Sequence, residues 1–594
     1  MRCVLVCAFS CLALPAYSAT AAVRYEVSLK NRAEGLATVT LEIDKAPSPT
    51  TLRFASWLPG AYELRVFARD VRGMDARDRE DRRVAVRRDG ASDFVLEGHG
   101  EGAALRVTYQ IGASLLSDDG ADLNDTHAYF NPAALLPRVV GLADQSASLA
   151  ITNLPLGWQI YNALVAPQAE SWSAASYDLL VDAPVEIAPA SRVTTGERHV
   201  GSARVAVVLH DEASAHAAPL PGKLLDDLAR IVATERALAG PLPFSRYLFV
   251  IHLSDRLGRN VALEHASSAS LVTSRTDLAT DEGYLALLHM IAHEVFHAWN
   301  ARRLVPRAVG SGALESSPAL WITEGLTECA AVMAERRLGL LGNERLARIW
   351  SDALSRARSV ERAELSLEDL SLLAASPPTS LAADPDAYYA AGHVTFLALV
   401  GELLHRSKGK VGLEELLAAL LPPIGSPPRV IDTDTLGRIV DALVPSTGPS
   451  LSSELTLWVR SPFTVSRVVF PFERLGMKIR YSELTRTDTD AIIDDETRVV
   501  RMLPPGGAFF RAGARPGDVL TGIDGSLPTV TSLKRLVSGM GQSRPVAITV
   551  DRAGLALSLE LRPQALSSAV SVVSWGQGGP AAAQRGRLLG DKVP

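Results

Sequence analysis

Residues 287–304 read LLHMIAHEVFHAWNARRL, and the five residues HEVFH at 293–297 decide how the rest of the chain is read. Apolar residues recur through the stretch at helical spacing. On an α-helix, residues i and i+4 share a face about 6 Å apart, so His293 and His297 can offer two ring nitrogens to one ion. Zinc accepts imidazole nitrogens at about 2.0–2.1 Å, which this geometry allows. Glu294 lies one residue on, rotated toward the rim, where it can take a proton from activated water rather than bind the metal. The bland alternative is a helix that carries this spacing by chance.

A catalytic zinc needs a third protein ligand and an open position. The stretch LWITEGLTECAA supplies a carboxylate, Glu324, 27 residues after His297 on a second predicted helix. Glu328, one turn further, can hydrogen-bond a ligand histidine and fix its tautomer. A solvated glutamate on a helix face is the other reading of Glu328. His289 continues the series His289, His293, His297, but the outer pair lie about 12 Å apart along a helix axis and cannot share one ion. His289 is therefore expected to pack or to orient a ligand. Cys329 reads as a small core residue rather than a thiolate ligand.

The first residues, MRCVLVCAFSCLALPAYSATAA, carry one arginine, an apolar run and then small residues. That is the pattern of a secretory leader over 1–22, so the chain is expected to be exported, to a periplasm or beyond the cell. Three of the four cysteines, Cys3, Cys7 and Cys11, lie in this leader, so the mature chain would hold no internal disulfide. The net charge of -6 is small for 594 residues and gives no basic surplus that would suggest nucleic acid. After the leader no apolar run is expected to span a bilayer.

The length suggests several domains. Residues 23–198 read as a β-rich, sandwich-like domain, with alternating stretches such as VRYEVSLK, ATVTLEID and LRVTYQI between turns. In residues 199–465, RVAVVLHD and RYLFVIHLSD read as strands and KLLDDLARIVATERAL as a helix. Helical periods then dominate, in YLALLHMIAHEVFHAWNARRL, LWITEGLTECAAVMAERRL, YYAAGHVTFLALVGELLHR and LEELLAALL. A further unit covers 466–563, and the Ser-, Gly- and Ala-rich tail 564–594 is expected to be disordered.

At this point the chain resembles the glycyl aminopeptidase family of gluzincin zinc metallopeptidases. HEVFHAWNARRLVP is similar to that family's HExFHxWNxKR stretch, and LWITEGLTE to its LWxxEGxTEY stretch. HLSDRLGRNVALEHASSASLV resembles its HxSDxxGGLEHxxSTSLV stretch. FASWLPGAYELRVFARDV and HAYFNPAALLP resemble two stretches of its N-terminal domain. The resemblance implies a multidomain α+β chain: an N-terminal β-sandwich-like domain, a thermolysin-like, mostly helical catalytic domain, and a C-terminal PDZ domain. It implies one zinc per chain held by His293, His297 and Glu324, with Glu294 as general base and then proton donor. It places Glu264, in ALEH, where a carboxylate meets the substrate's free amine. It also places Tyr389, in YYAAG, as a donor to the carbonyl oxygen as it becomes tetrahedral. Tyr388 is the rival by position. The other readings are a strand-end glutamate for Glu264 and a packing aromatic for Tyr389.

Three positions depart from the family pattern: Ala262 in ALEH, Ala266 in ASSAS and Ala391 in YAAG. They bear on substrate preference and rate, and they remove neither a metal ligand nor the base. LPPGGAFFRAGARPGDVLTGIDG resembles the core of a bacterial PDZ domain. RLGMKI, with Leu475, Gly476 and Met477, resembles the loop that holds a peptide's C-terminal carboxylate. The alternative is a PDZ fold that only packs on the catalytic domain. The expected activity is release of small N-terminal residues, Gly or Ala, from peptide substrates. An endopeptidase tethered by its PDZ unit, or a silent peptide-binding scaffold, are the competing readings.

Overall fold

Strict alternation builds the first unit. In the strand Val23–Ser28, Val23, Tyr25 and Val27 are buried while Arg24, Glu26 and Ser28 face outward. The computed structural model describes residues 21–590 except 57, 59, 61–64, 165–169, 215, 256–259, 308–316, 375–386, 446–447, 483–485, 488–490, 495–496, 504–507, 530–531, 533–535, 537–544, 553, 563–564, 567–568 and 576–578. Nearly all of the expected leader thus lies outside the described residues, as does much of the LPGAYEL stretch. The N-terminal unit holds a ten-stranded and a five-stranded sheet. Val39, Leu41, Phe54, Val107, Tyr109 and Phe130 lie in the core they share.

The strand Val193–Val200 already belongs to the next sheet, so the boundary falls before the expected residue 198. That sheet runs in the order Val193–Val200, Ala203–Asp211, Arg246–Leu253, Ser268–Thr273, Val261–Glu264. Its three inner strands are parallel and the outer two antiparallel to their neighbours. A strand buried on both faces reads as an unbroken apolar run. Val205, Val207 and Leu209 face the helices, as do Tyr247, Phe249 and Ile251. The alternate residues Val208, Leu248 and Val250 pack with Tyr129, Tyr161 and Ala188 of the N-terminal unit.

The helices Leu224–Ala239, Asp281–Phe296, Leu320–Arg337 and Ala387–Arg406 follow the expected periods. The second is shorter than its sequence suggests: it ends at Phe296, and His297 caps it. Asn300 turns the chain there. Its side chain donates to the Thr323 carbonyl at 2.6 Å and to Thr327 Oγ at 2.9 Å, tying the turn to the next helix. Leu320–Arg337 and Ala387–Arg406 cross with glycine against glycine. A Cβ on Gly325 would lie 2.5 Å from the Cα of Gly392. Contrary to the expectation that no such segment exists, Ala387–Arg406 is long and apolar enough to cross a membrane, with a mean hydropathy of 1.3. It is a core helix, 94% of that window being buried inside the fold.

The helix Val465–Arg474 packs Val465, Val468, Val469 and Phe472 into the catalytic core, so a separate unit begins only after it. Beyond it, Phe509, Leu520, Ile548 and Val550 share a small core of their own. Two expectations are corrected here. The tail is not disordered throughout: strand Ala569–Trp575 pairs with Met477–Ser482, and helix Gly579–Leu589 buries Leu588 and Leu589 in the catalytic core. Arg587 of that helix pairs with Glu414 and Glu415. Composition alone misses this, because a strand and a short helix can be held by neighbours distant in sequence. The loop of Leu475, Gly476 and Met477 is also covered by the C-terminal helix, where a Cβ on Gly476 would lie 3.0 Å from Arg585 and 3.5 Å from Ala581. Leu475 and Met477 are buried, and Arg585 donates to the Leu475 carbonyl at 2.7 Å.

Candidate metal and peptide site

The His-bearing and Glu-bearing helices pack side by side, and the i, i+4 register of the first sets two imidazoles on the shared face. His293 Nε2 and His297 Nε2 lie 3.2 and 3.5 Å from Glu324 Oε2. Both separations suit ligands at about 2 Å from one zinc, and the three donors lie within 4.8 Å of one another. All three side chains are nearly or fully buried.

Their outer atoms are fixed as a metal site demands. His293 Nδ1–H donates to Glu328 Oε2 at 3.1 Å, which leaves Nε2 free to ligate. The other oxygen of Glu328 meets His289 Nε2 at 3.2 Å, and His289 Nδ1 meets Glu335 at 3.0 Å. Glu328 is thus in the pocket wall, not on a solvated face, and His289 orients it. His297 Nδ1 faces Thr327 Oγ at 3.4 Å, the hydroxyl that also accepts from Asn300. Asn300 and Thr327 were not among the sequence candidates. Their signal, the Asn of HAWN and the Thr of EGLTE, has meaning only once the turn at 297–300 is known.

The electrostatics favour a cation. Burial opposes charge on His293, yet the hydrogen bonds to Glu324 and Glu328 raise its pKa to about 10. Burial also opposes the Glu324 carboxylate, and His297 and His293 nonetheless hold it below the ordinary range. Glu294 is different: burial raises it to about 7, with His293 and His297 pulling down and Glu264 and Glu324 pushing up. A base near that value can take and return a proton at neutral pH. The Cys329 thiol, buried in the core, is pushed up to about 12 by burial and stays a packing group.

Glu264 ends the edge strand Val261–Glu264, and one oxygen from it, one from Glu294 and one His297 nitrogen lie within 4.8 Å of one another. The N-terminal unit reaches this point. Arg302 donates to the Glu264 carbonyl at 2.8 Å and pairs with Asp182 at 3.2 Å. Asp182 in turn accepts from His265 at 3.1 Å and from the Ala266 amide at 3.0 Å. A Cβ on Gly60, which has φ +97°, would sit 2.0 Å from Glu264 Oε2, so only glycine fits there. Tyr389, half-buried, sets its ring 5.9 Å from that of His293, while Tyr388 is buried in the core. Of the predicted site residues, the structure brings together His293, Glu294, His297, Glu324, Glu328, Glu264 and Tyr389; it places Leu475, Gly476 and Met477 under the C-terminal helix.

Residues 24–189 match the family described as Peptidase M61 N-terminal domain, and residues 286–394 that described as M61 glycyl aminopeptidase. No curated protein matches the chain in sequence. Among solved structures, an aminopeptidase N family protein from Idiomarina loihiensis is 22% identical, with a TM-score of 0.72 over 96% of this chain and 100% of that one. That likeness shows a shared fold. An M1 zinc metallopeptidase from Deinococcus radiodurans is 16% identical, with a TM-score of 0.42 over 74% of this chain and 92% of that one. The M61 glycyl aminopeptidase match over residues 286–394 spans His293 through Tyr389, and with the assembled site it supports reading this chain as an enzyme, a zinc metallopeptidase of the aminopeptidase kind.

Proposed function

We propose that this chain is an exported zinc aminopeptidase that releases small N-terminal residues, Gly or Ala, from peptides. The observation that carries the reading is the meeting of Glu264, Glu294 and His297 within 4.8 Å, beside the His293–His297–Glu324 donor set. Two imidazole nitrogens and one carboxylate oxygen are the donors of catalytic zinc. When bound, zinc supplies a Lewis acid that polarises a carbonyl and acidifies water. Glu294 takes the proton of the attacking water and hands it to the leaving amine. Glu264 receives the substrate's N-terminal ammonium through a charge-assisted hydrogen bond. Tyr389 donates to the carbonyl oxygen as charge builds on it. Leu58 and Leu263 pack together, and Leu263 lies beside Gly60 next to Glu264, an apolar neighbourhood that supports a small apolar first side chain. The leader pattern of residues 1–22 supports export. The AGARPGD turns support reading the small β unit as a PDZ domain, its RLGMKI loop covered by the chain's own end.

The test is a pair of substrates, Ala-p-nitroanilide and its N-acetyl form, with wild type and Glu264→Gln. Wild type should cleave only the free amine. The variant should raise KM for it about tenfold or more, the loss of one charged contact of about 1.4 kcal/mol. Equal cleavage of the acetylated substrate would show that Glu264 is no amine anchor and favour an endopeptidase.

A further inference from the structure

A second set of metal-binding side chains lies where the two large units meet. In the parallel strands Ala203–Asp211 and Arg246–Leu253, His210 and His252 stand directly opposite each other in register. Alternation puts both on the face that carries Val208 and Val250, toward the N-terminal unit. That unit offers Glu186, from strand Val185–Pro189, and His127, from the turn before Ala128–Phe130. All four side chains are completely buried. One ligand atom from each lies within 4.8 Å of all the others.

The separations already approach a coordination shell. Glu186 Oε2 is 3.0 Å from His252 Nε2, and Glu186 Oε1 is 3.2 Å from His127 Nδ1. Ligands at 2.0–2.1 Å around a tetrahedral zinc stand about 3.3 Å apart. His127 Nε2 faces Asp122 at 3.3 Å. A proton on that nitrogen leaves Nδ1 bare toward the centre, which is how a carboxylate fixes a ligand histidine. His210 is the telling residue: neither ring nitrogen has a hydrogen-bond partner among the described residues, although the ring is fully buried and stacked on His127 at 4.3 Å. A buried polar ring without partners costs free energy that a metal bond would offset. Charge balances as well. A divalent cation would balance Asp122 and Glu186 in place of the proton that these carboxylates, against burial, otherwise hold on His127. On the other side of His127, Asp122 and the half-buried Glu212 come within the same reach.

We propose that His127, Glu186, His210 and His252 form a second, closed metal site, for zinc, that clips the N-terminal unit to the catalytic sheet. Four protein donors leave no open position, so the site is structural and not a second reaction centre. It is separate from the His293–His297–Glu324 set and is tested apart from it. The full chain, expressed with zinc and desalted, is crystallised and its anomalous signal measured on both sides of the zinc edge. A peak among His127, Glu186, His210 and His252 is expected; no peak there overturns the proposal, whatever is found at His293. Metal content in solution checks it independently. Wild type should hold two zinc ions per chain, and His210→Gln and His297→Ala one each. A His210→Gln chain that keeps the wild-type zinc content would show that the cluster is held by protons alone. Loss of zinc in His210→Gln but not in His297→Ala would uphold this site and count against the catalytic one.

Discussion

The chemistry of His293 turns on one hydrogen bond, because the nitrogen that faces Glu328 determines which nitrogen is left for the metal. Glu328→Gln keeps the shape and removes the charge that fixes this tautomer. We expect zinc affinity to fall about 10–100-fold, measured by competition with a chelator. Unchanged affinity would return Glu328 to the role of a plain helix glutamate. At this scale the sequence was legible where chemistry and spacing coincide. His293, Glu294, His297 and Glu324 could be picked out because zinc needs donors on one face and a third from another helix. Glu264 was not readable that way. Nothing in ALEH by itself marks a carboxylate whose neighbours, Gly60 and Arg302, are far away in sequence. Asn300 and Thr327 stayed hidden for a related reason: their contact exists only because the helix stops at Phe296, and hydrophobic period does not mark that stop.

Between elements, the critical contact is the crossing of Leu320–Arg337 and Ala387–Arg406, which holds Glu324 and Tyr389 in one site. Gly325 and Gly392 let the two backbones approach, and a methyl on Gly392 would lie 2.5 Å from the Trp321 carbonyl oxygen. Gly392→Ala should destabilise the chain by about 1–3 kcal/mol, the usual cost of overpacking, and lower Tm. An unchanged Tm would show that the helices can part without cost. The strands of the catalytic sheet were legible as unbroken apolar runs, a sign of burial on both faces. The C-terminal elements were not. Ser, Gly and Ala carry no period strong enough to read, and the strand Ala569–Trp575 exists through its pairing with Met477–Ser482, nearly a hundred residues earlier.

Across the whole molecule, the N-terminal unit is part of the site and not an appendage. Asp182 links it to Arg302, His265 and the Glu264 strand. Burial raises the Asp182 pKa, but Arg302 and His265 outweigh it and hold the carboxyl below its ordinary value. A depressed carboxyl adds stability that is complete above the unfolded value of about 3.9 and is lost as pH falls through the folded one. Asp182→Asn should therefore lower Tm at pH 7, and the gap from wild type should close as pH falls below about 4. A gap that stays constant with pH would mean that Asp182 acts through shape and not charge. The multidomain α+β plan was legible from the change of period near residue 200, while the joint between the units was not, because its residues are scattered from Gly60 to Arg302. The central claim is that the HEVFH helix carries a working zinc site with Glu294 as its base. The most direct test measures zinc content and Ala-p-nitroanilide turnover in wild type and Glu294→Gln. The account predicts equal zinc in both and turnover about 10²–10⁴-fold lower in the variant. Equal zinc with equal turnover would contradict it.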